Sequence, residues 1–357
     1  MPEVQRRNLR LRWLIPVIIG ALLVAAVGGC GSKAPTPKPS DAKTQEDPAA
    51  FFKGKNLEFI VPYSVGGGFD KWARLSAPMY EKYIPGVTVV VKNVPGAGSL
   101  VGTNQLYQAK PDGLTIGIVN MPGLVYNKIM GEPNAKFDLN QFTYLGRVSA
   151  ESRAVIIGKN SSYKTMADLA KAGRPISVAF TGKGSDDYFN MYVEAAAFGF
   201  KIKPVTGYSG GRETSLAVAR GDVELTQNTA SNAVSIVTTG EVKVLAQVAS
   251  QKDSLLGPDV PLALDQVGAE GKPLLDTAIK LMELDRVIVA PPGVPAERAK
   301  VLAEVMQKAF QNQEFVNLLK QSKLPYAYLS GDKTHKMVTD VMTNSDKVGA
   351  IVKEALK

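Results

Sequence analysis

Three consecutive glycines, Gly66, Gly67 and Gly68, follow the apolar run of residues 59–61 and its Pro62-Tyr63-Ser64 turn, and precede a helical pattern opened by Asp70. Glycine lets backbone N–H groups approach a ligand closely. At a helix start those donors are unpaired, and the macrodipole favours an anion beside them. Two further loops have the same make-up. Gly98 and Ser99 follow residues 87–92, and Thr181, Gly184, Ser185 and Asp186 follow residues 176–180. Tyr63, Asn120 and Asn228 add hydroxyl and amide groups at the ends of strands. This set suits non-covalent capture of a small anion. Asp70 and Asp186 have two readings: contact with a cationic part of the ligand, or bracing of loop N–H groups in a first helical turn. Tyr63 and Tyr208 either line the cleft or cover the sheet ends.

Other chemistries find less support. Nucleophilic catalysis of the Ser-His-Asp type needs a base, and the only histidine is His335, on a lysine-rich stretch near the C-terminus. Asp186 and Asp187 are the closest carboxylate pair, but adjacent residues diverge on a helix. A metal site would need clustered His, Cys, Asp and Glu, and His and Cys occur once each. Gly96, Gly98 and Gly102 follow a strand, as in a dinucleotide fingerprint, yet Asn120 stands where the ribose-binding acid should be. No enzyme, cofactor or metal is therefore expected. Formal net charge is +9, from 42 basic and 33 acidic residues. It is dispersed, with no basic cluster interleaved with aromatics, so nucleic acid is not an expected partner.

The elements that position these loops alternate. Strand, glycine loop and helix recur three times over residues 59–119, which implies a parallel sheet with right-handed crossovers. Loops at the carboxyl ends of such strands are where ligands bind. From residue 142 the register changes. Short strands are expected at 143–147, 154–158, 176–180, 204–206, 223–226 and 242–248, the last suited to crossing back between lobes. Thr165 and Asp168 read as a capping box, and the 181–186 loop opens a helix through Phe198. Residues 286–290 return to the first lobe ahead of amphipathic helices.

The N-terminus has a different character. Arg6, Arg7, Arg10 and Arg12 precede an apolar run over residues 13–27, too short for a comfortable span and ending in small residues like a secretory signal. Val27-Gly28-Gly29-Cys30 resembles a bacterial lipobox, which implies cleavage before Cys30 and lipidation of its thiol. Residues 31–50 are Pro-, Ser-, Lys- and Ala-rich and read as a solvated tether.

From residue 51 onward five segments stand in order: VPYSVGGGFDKWARLSAP (61–78), VKNVPGAGSLVG (91–102), KPDGLTIG (110–117), VTGYSGGRETSLAVARGDVE (205–224) and APPGVP (290–295). On these the chain resembles the substrate-binding proteins of the tripartite tricarboxylate transporter (Bug) family. It implies an α/β, periplasmic-binding-protein-like fold of type II, a Venus flytrap of two lobes with a cleft between them. The implied organisation is a signal peptide at 1–29, lipidated Cys30 and linker to 50, lobe 1 at 51–147 and 246–357, and lobe 2 at 148–245. The implied function is capture of a small carboxylate for a membrane permease. Ser64, Gly66, Gly67, Gly68 and Asp70 would hold one carboxylate with Gly98 and Ser99, and Thr181, Gly184 and Ser185 the distal end. Two positions depart from the family pattern. Asn228-Thr229 stands where Asp-Asn is frequent, and Asp187 or Tyr188 where a His is common; both lie on the specificity side of the cleft. The expected partners are an organic acid, the permease subunits and, through Cys30, the membrane; the expected state is an exported, lipid-anchored monomer. A ligand sensor acting on a signalling receptor is the alternative, and a hydrolytic enzyme on the same fold a more distant one.

Overall fold

The computed structural model describes residues 47–343 and 345–356, so the leader, Cys30 and most of the tether lie outside the described residues. The first lobe opens with β1 (Asn56–Val61), whose apolar residues face inward, followed by the glycine loop and α1 (Gly68–Tyr83). Trp72, Ala73 and Tyr80 lie on one face of α1 and are fully buried with Phe59. Covering a side chain of that size is worth up to about 3 kcal/mol. Next come β2 (Thr88–Asn93), α2 (Leu100–Tyr107), β3 (Thr115–Asn120), α3 (Met121–Met130) and β4 (Thr143–Arg147). As expected, β1 pairs in parallel with β2 and β3.

The second lobe contains β5 (Arg153–Gly158), α4 (Met166–Lys171), β6 (Ile176–Phe180), α5 (Asp186–Phe198), β7 (Ile202–Thr206), α6 (Gly211–Arg220), β8 (Leu225–Thr229), α7 (Ala230–Val237) and β9 (Val242–Val248). The capping box of Thr165 and Asp168 is present at the start of α4. After α8 (Lys272–Met282) the chain returns as β10 (Arg286–Ala290), α9 (Ala296–Gln311), α10 (Gln313–Gln321), β11 (Leu329–Ser330), α11 (Gly331–Thr343) and α12 (Ser345–Ala355).

The strand orders are β11-β4-β10-β3-β1-β2 and β7-β6-β8-β5-β9, giving two sheets and two lobes. Both sheets are mixed: β10 runs antiparallel to β3 and β4, and β5 antiparallel to β8 and β9. The return crossing is not at residues 245–248, because β9 stays paired with β5 through Val248 opposite Arg153. It falls between α8, which packs on α5, and β10. The 223–226 strand also needs correction: β8 reaches Thr229, so Asn228 and Thr229 lie in the sheet, opposite Ala154 and Arg153.

Candidate ligand-binding cleft

A narrow cleft of about 50 Å³ opens between the two sheets. Tyr63, Gly67, Gly68, Phe69 and Arg286 line it from the first lobe, and Arg153, Thr181, Asp186, Asp187, Gly210, Gly211, Gln227 and Asn228 from the second. Several helices begin here, and most of their starts are already satisfied. Asn120 Oδ1 accepts from Gly123 N at the start of α3, and Thr229 Oγ1 accepts from Asn232 N at α7; at α5 the N-cap Ser185 makes no side-chain cap bond, but Asp187 accepts from Tyr188 N in the first turn. Helices α1 and α6 differ. Their N-caps are Gly67 and Gly210, and neither start has a side-chain cap. One open helix start from each lobe therefore faces the same space, and both offer N–H groups and the positive dipole end to an anion.

Two of the lining residues are arginines that the sequence reading did not select. Arg286 is wholly buried and lies 4.8 Å from the ring centre of Phe69. It bonds Ser149 Oγ at 3.2 Å, Asp285 at 3.2 Å and Glu151 at short range. Arg153 donates to Asp186 Oδ2 through Nε and Nη2 at 3.1 and 2.8 Å, and to Asp285 Oδ1 at 3.1 Å. Burial alone would raise the Asp285 carboxyl, but Arg286 and Arg153 outweigh it and hold Asp285 below its ordinary value. Each arginine is the first residue of a strand whose other members are apolar (RVIVA, RAVIIG), and a cation leading into such a run is the one signal that could have revealed them.

The structure distributes the expected site residues among several tasks. Tyr63, Gly67, Gly68, Thr181, Asp186 and Asn228 line the cleft. Tyr63 stacks on Phe69 at 4.5 Å, and burial, reinforced by Asp186 and Asp187, raises its hydroxyl pKa and keeps it protonated. Asn120 reaches between lobes, donating at 2.7 Å to both Tyr63 Oη and Asp186 Oδ1. Asn228 spends its amide on Gly211 O, Thr214 Oγ1 and Ser215 Oγ, and so shapes the start of α6. Asp70 does not line the cleft. It accepts from Gly66 N at 2.8 Å, Asn93 Nδ2 at 3.0 Å and Arg74 Nε at 3.0 Å, so of its two readings bracing is the one observed. Burial opposes its ionisation, but the bonds from Arg74 and Gly66 prevail and its pKa is lowered. Ser64 donates its backbone N–H to Ser209 O of the second lobe at 3.0 Å. Tyr208 packs beside the second-lobe cluster around Ala154.

Gly98, Ser99, Gly184 and Ser185 do not line the cleft; their loops meet each other. A Cβ on Gly98 would stand 2.5 Å from Ser185 N, one on Gly182 would stand 2.5 Å from Gly98 N, and one on Gly184 would stand 2.7 Å from Ala97 O. Here the glycines allow backbone to pack against backbone across the lobes. Gly68 has a related role, since a Cβ there would lie 2.9 Å from Arg286 Nη2.

Among the described residues no group of His, Cys, Asp and Glu could hold a metal ion, and no helix is long and apolar enough to cross a membrane. The family model of the tripartite tricarboxylate transporter family receptor matches residues 74–356. A UPF0065 protein from the gbd 5′ region of Cupriavidus necator is 25% identical over 339 residues, 92% of each chain. A second, from Pseudomonas sp. strain P51, is 23% identical over 275 residues, 76% of this chain and 78% of that protein. Among solved structures, the periplasmic binding protein BugD superposes with a TM-score of 0.72 at 22% identity, over 84% of this chain and 97% of its own. MatC from Rhodopseudomonas palustris, solved with bound malate, gives 0.69 at 20% identity over 85% and 99%. An R. palustris protein solved with adipate gives 0.71 at 19% identity over 84% and 97%. These structures share the two-lobed periplasmic-binding-protein fold. By its match over most of its length, the chain belongs to the receptor family of the tripartite tricarboxylate transporters, a non-enzymatic family.

Proposed function

We infer that the protein is an exported receptor that holds a small carboxylate between its lobes and passes it to the membrane components of a tripartite transporter. One observation carries this reading: α1 and α6, from opposite lobes, present uncapped glycine starts to a single cleft. Backbone donors of this kind accept a carboxylate without burying another free cation, which would be costly to desolvate. Bound malate and adipate in two proteins of the same fold are consistent with it. A thermal-shift screen of organic acids followed by calorimetric titration of the best acid and its methyl ester tests it. The ester should bind far more weakly; equal binding of acid and ester would show that no carboxylate meets these helix starts.

Export and anchoring rest on residues 1–30, outside the described residues. The arginine-rich start, the apolar run and the Val27–Cys30 sequence support cleavage before Cys30 and attachment of lipid to its thiol. In this reading lobe 1 comprises residues 51–147 and the returning C-terminal part, with the tether separating it from the membrane.

A further inference from the structure

The side chains of the cleft do little to attract an anion from a distance. Its lining and the immediate partners of that lining hold the carboxylates of Glu151, Asp186, Asp187 and Asp285 against the guanidinium groups of Arg153 and Arg286. Both arginines are spent on those acids. The amides of α1 and α6 can hold a carboxylate at close range, but something else must bring it to them.

A second cavity, of about 440 Å³, adjoins the cleft and shares Asn232 with it as a common wall. Gly66 and Lys71 line it from the first lobe, and Arg212 with residues of α6 and α7 from the second. Its described lining contains these two cations and no carboxylate. Lys71 is half-buried and Arg212 exposed, and among the described residues neither makes an ion pair or a side-chain hydrogen bond. Their neighbours on the same helices are committed: Arg74 of α1 is tied to Asp70, and Arg220 of α6 to Asp222. The hydroxyls of Ser235 and Thr239 on the cavity wall turn back onto carbonyls of their own segment.

The placement of the two cations runs against local preference. Both stand in the first turn of a helix, α1 or α6, where the macrodipole disfavours positive charge. They also come from opposite lobes. A Cβ on Gly66 would lie 3.3 Å from Arg212 Nη1, so the guanidinium of the second lobe rests against the glycine loop of the first.

We propose, building on the carboxylate reading above, that this outer cavity is a reception site: Lys71 and Arg212 draw the anionic ligand to the mouth and hold it there before it moves past Asn232 to the starts of α1 and α6. Uncommitted charges of one sign beside a cleft raise the local concentration of an oppositely charged solute, and with it the rate of encounter. The site sets how fast ligand is captured and how strongly salt slows capture, whereas release from the closed cleft depends on the inner contacts. Affinity then follows the association rate.

The test compares the soluble chain with the double variant Lys71→Met, Arg212→Met, in which methionine keeps much of the side-chain bulk and removes the charge. Lys53→Met, at an exposed position ahead of β1 and remote from the glycine loop at its other end, removes a charge elsewhere. The first readout is paramagnetic broadening of backbone amides by carboxy-PROXYL, an anion, against its neutral carbamoyl analogue. The anion should broaden Gly66, Arg212 and Asn232 more than the neutral probe does in the wild type and in Lys53→Met, and no more than it in the double variant. The second is stopped-flow association of malate, succinate and adipate, followed through Trp72, the only tryptophan beyond residue 13. At low salt the double variant should associate about tenfold more slowly, the lower end of the range for electrostatic steering, with its dissociation rate unchanged. At 1 M salt, where the screening length falls to about 3 Å, the difference should vanish. Equal broadening by the two probes at the wild-type cavity overturns the proposal, and so does a double variant that associates at the wild-type rate; both leave the acid-over-ester preference of the cleft standing. Equal binding of acid and ester by the wild type would instead remove the inner carboxylate site, and the reception role with it, whatever the probes show.

Discussion

Gly98→Ala should weaken ligand binding by obstructing contact between the lobes. Its new methyl would lie 2.5 Å from Ser185 N and 2.8 Å from the Gly184 carbonyl carbon, both backbone atoms that no side-chain rotation can move aside. Ordinary contact begins near 3.4 Å, so the facing loops would have to part by about 0.9 Å. Overpacking of this kind costs about 1–3 kcal/mol. The residue has φ +63, so alanine carries a further left-handed penalty of about 1–2 kcal/mol, but that applies whether or not the lobes meet. Only the steric part acts on closure, which predicts roughly 5- to 150-fold weaker binding. Gly131→Ala separates the two effects. Its φ is +70 and nothing lies within 4 Å of its would-be Cβ, so it should lower stability and leave affinity unchanged. Titration with the best-bound acid, alongside solution scattering with and without it, measures both. Wild-type affinity in Gly98→Ala would refute the assignment of this loop to interlobe packing.

Other perturbations follow from the buried charges and the leader. Burial pushes the Glu194 carboxyl up to about 8, so its stabilising contribution is complete below the unfolded value near 4.5 and is lost as pH rises through 8. Glu194→Gln should therefore match the wild type near pH 4 and unfold at a higher temperature at pH 8.5; a pH-independent difference would contradict this. Arg286→Met strands Glu151 and one side of Asp285 in the interior and should cost about 3–5 kcal/mol in denaturant unfolding; a loss under 1 kcal/mol would show that the network is dispensable. Cys30→Ser should abolish lipidation and leave the soluble body intact, as judged by mass and by membrane fractionation; wild-type protein recovered unlipidated with another N-terminus would count against the lipobox.

Local patterns carried much of the fold. The apolar run into Gly66, Gly67 and Gly68, the Thr165–Asp168 box and the loop opening α5 each depend on neighbours in the chain, and each forms as its spacing implies. Two helices escaped notice: α3, which follows β3 without a loop from its Asn120 cap, and α8. The polar residues Gln227 to Thr229 look like a loop after the expected strand, yet they continue β8, an interior strand between β6 and β5, and pair with Val155, Ala154 and Arg153 of β5. The cleft was legible on its glycine side and hidden on its ionic side. Arg153 and Arg286 lie 133 residues apart in the chain and meet around Asp285, a long-range coincidence that no local window contains. The second and third glycine loops were recognised as glycine loops, but their packing against each other depends on how the lobes come together.

The bond from Ser64 N to Ser209 O joins residues on opposite sides of the cleft. It exists only while the lobes are together, whereas the neighbouring amide of Gly66 is held within its own lobe by Asp70. The two amides thus keep different clocks for solvent deuterium. Exchange at Ser64 requires the lobes to separate, so its protection factor is a direct ratio of closed to open molecules. Gly66 supplies the internal reference for local fraying. Measured without ligand, that ratio gives the opening free energy which any captured solute must exploit, and its rise on titration separates selection of an already closed receptor from closure that follows binding.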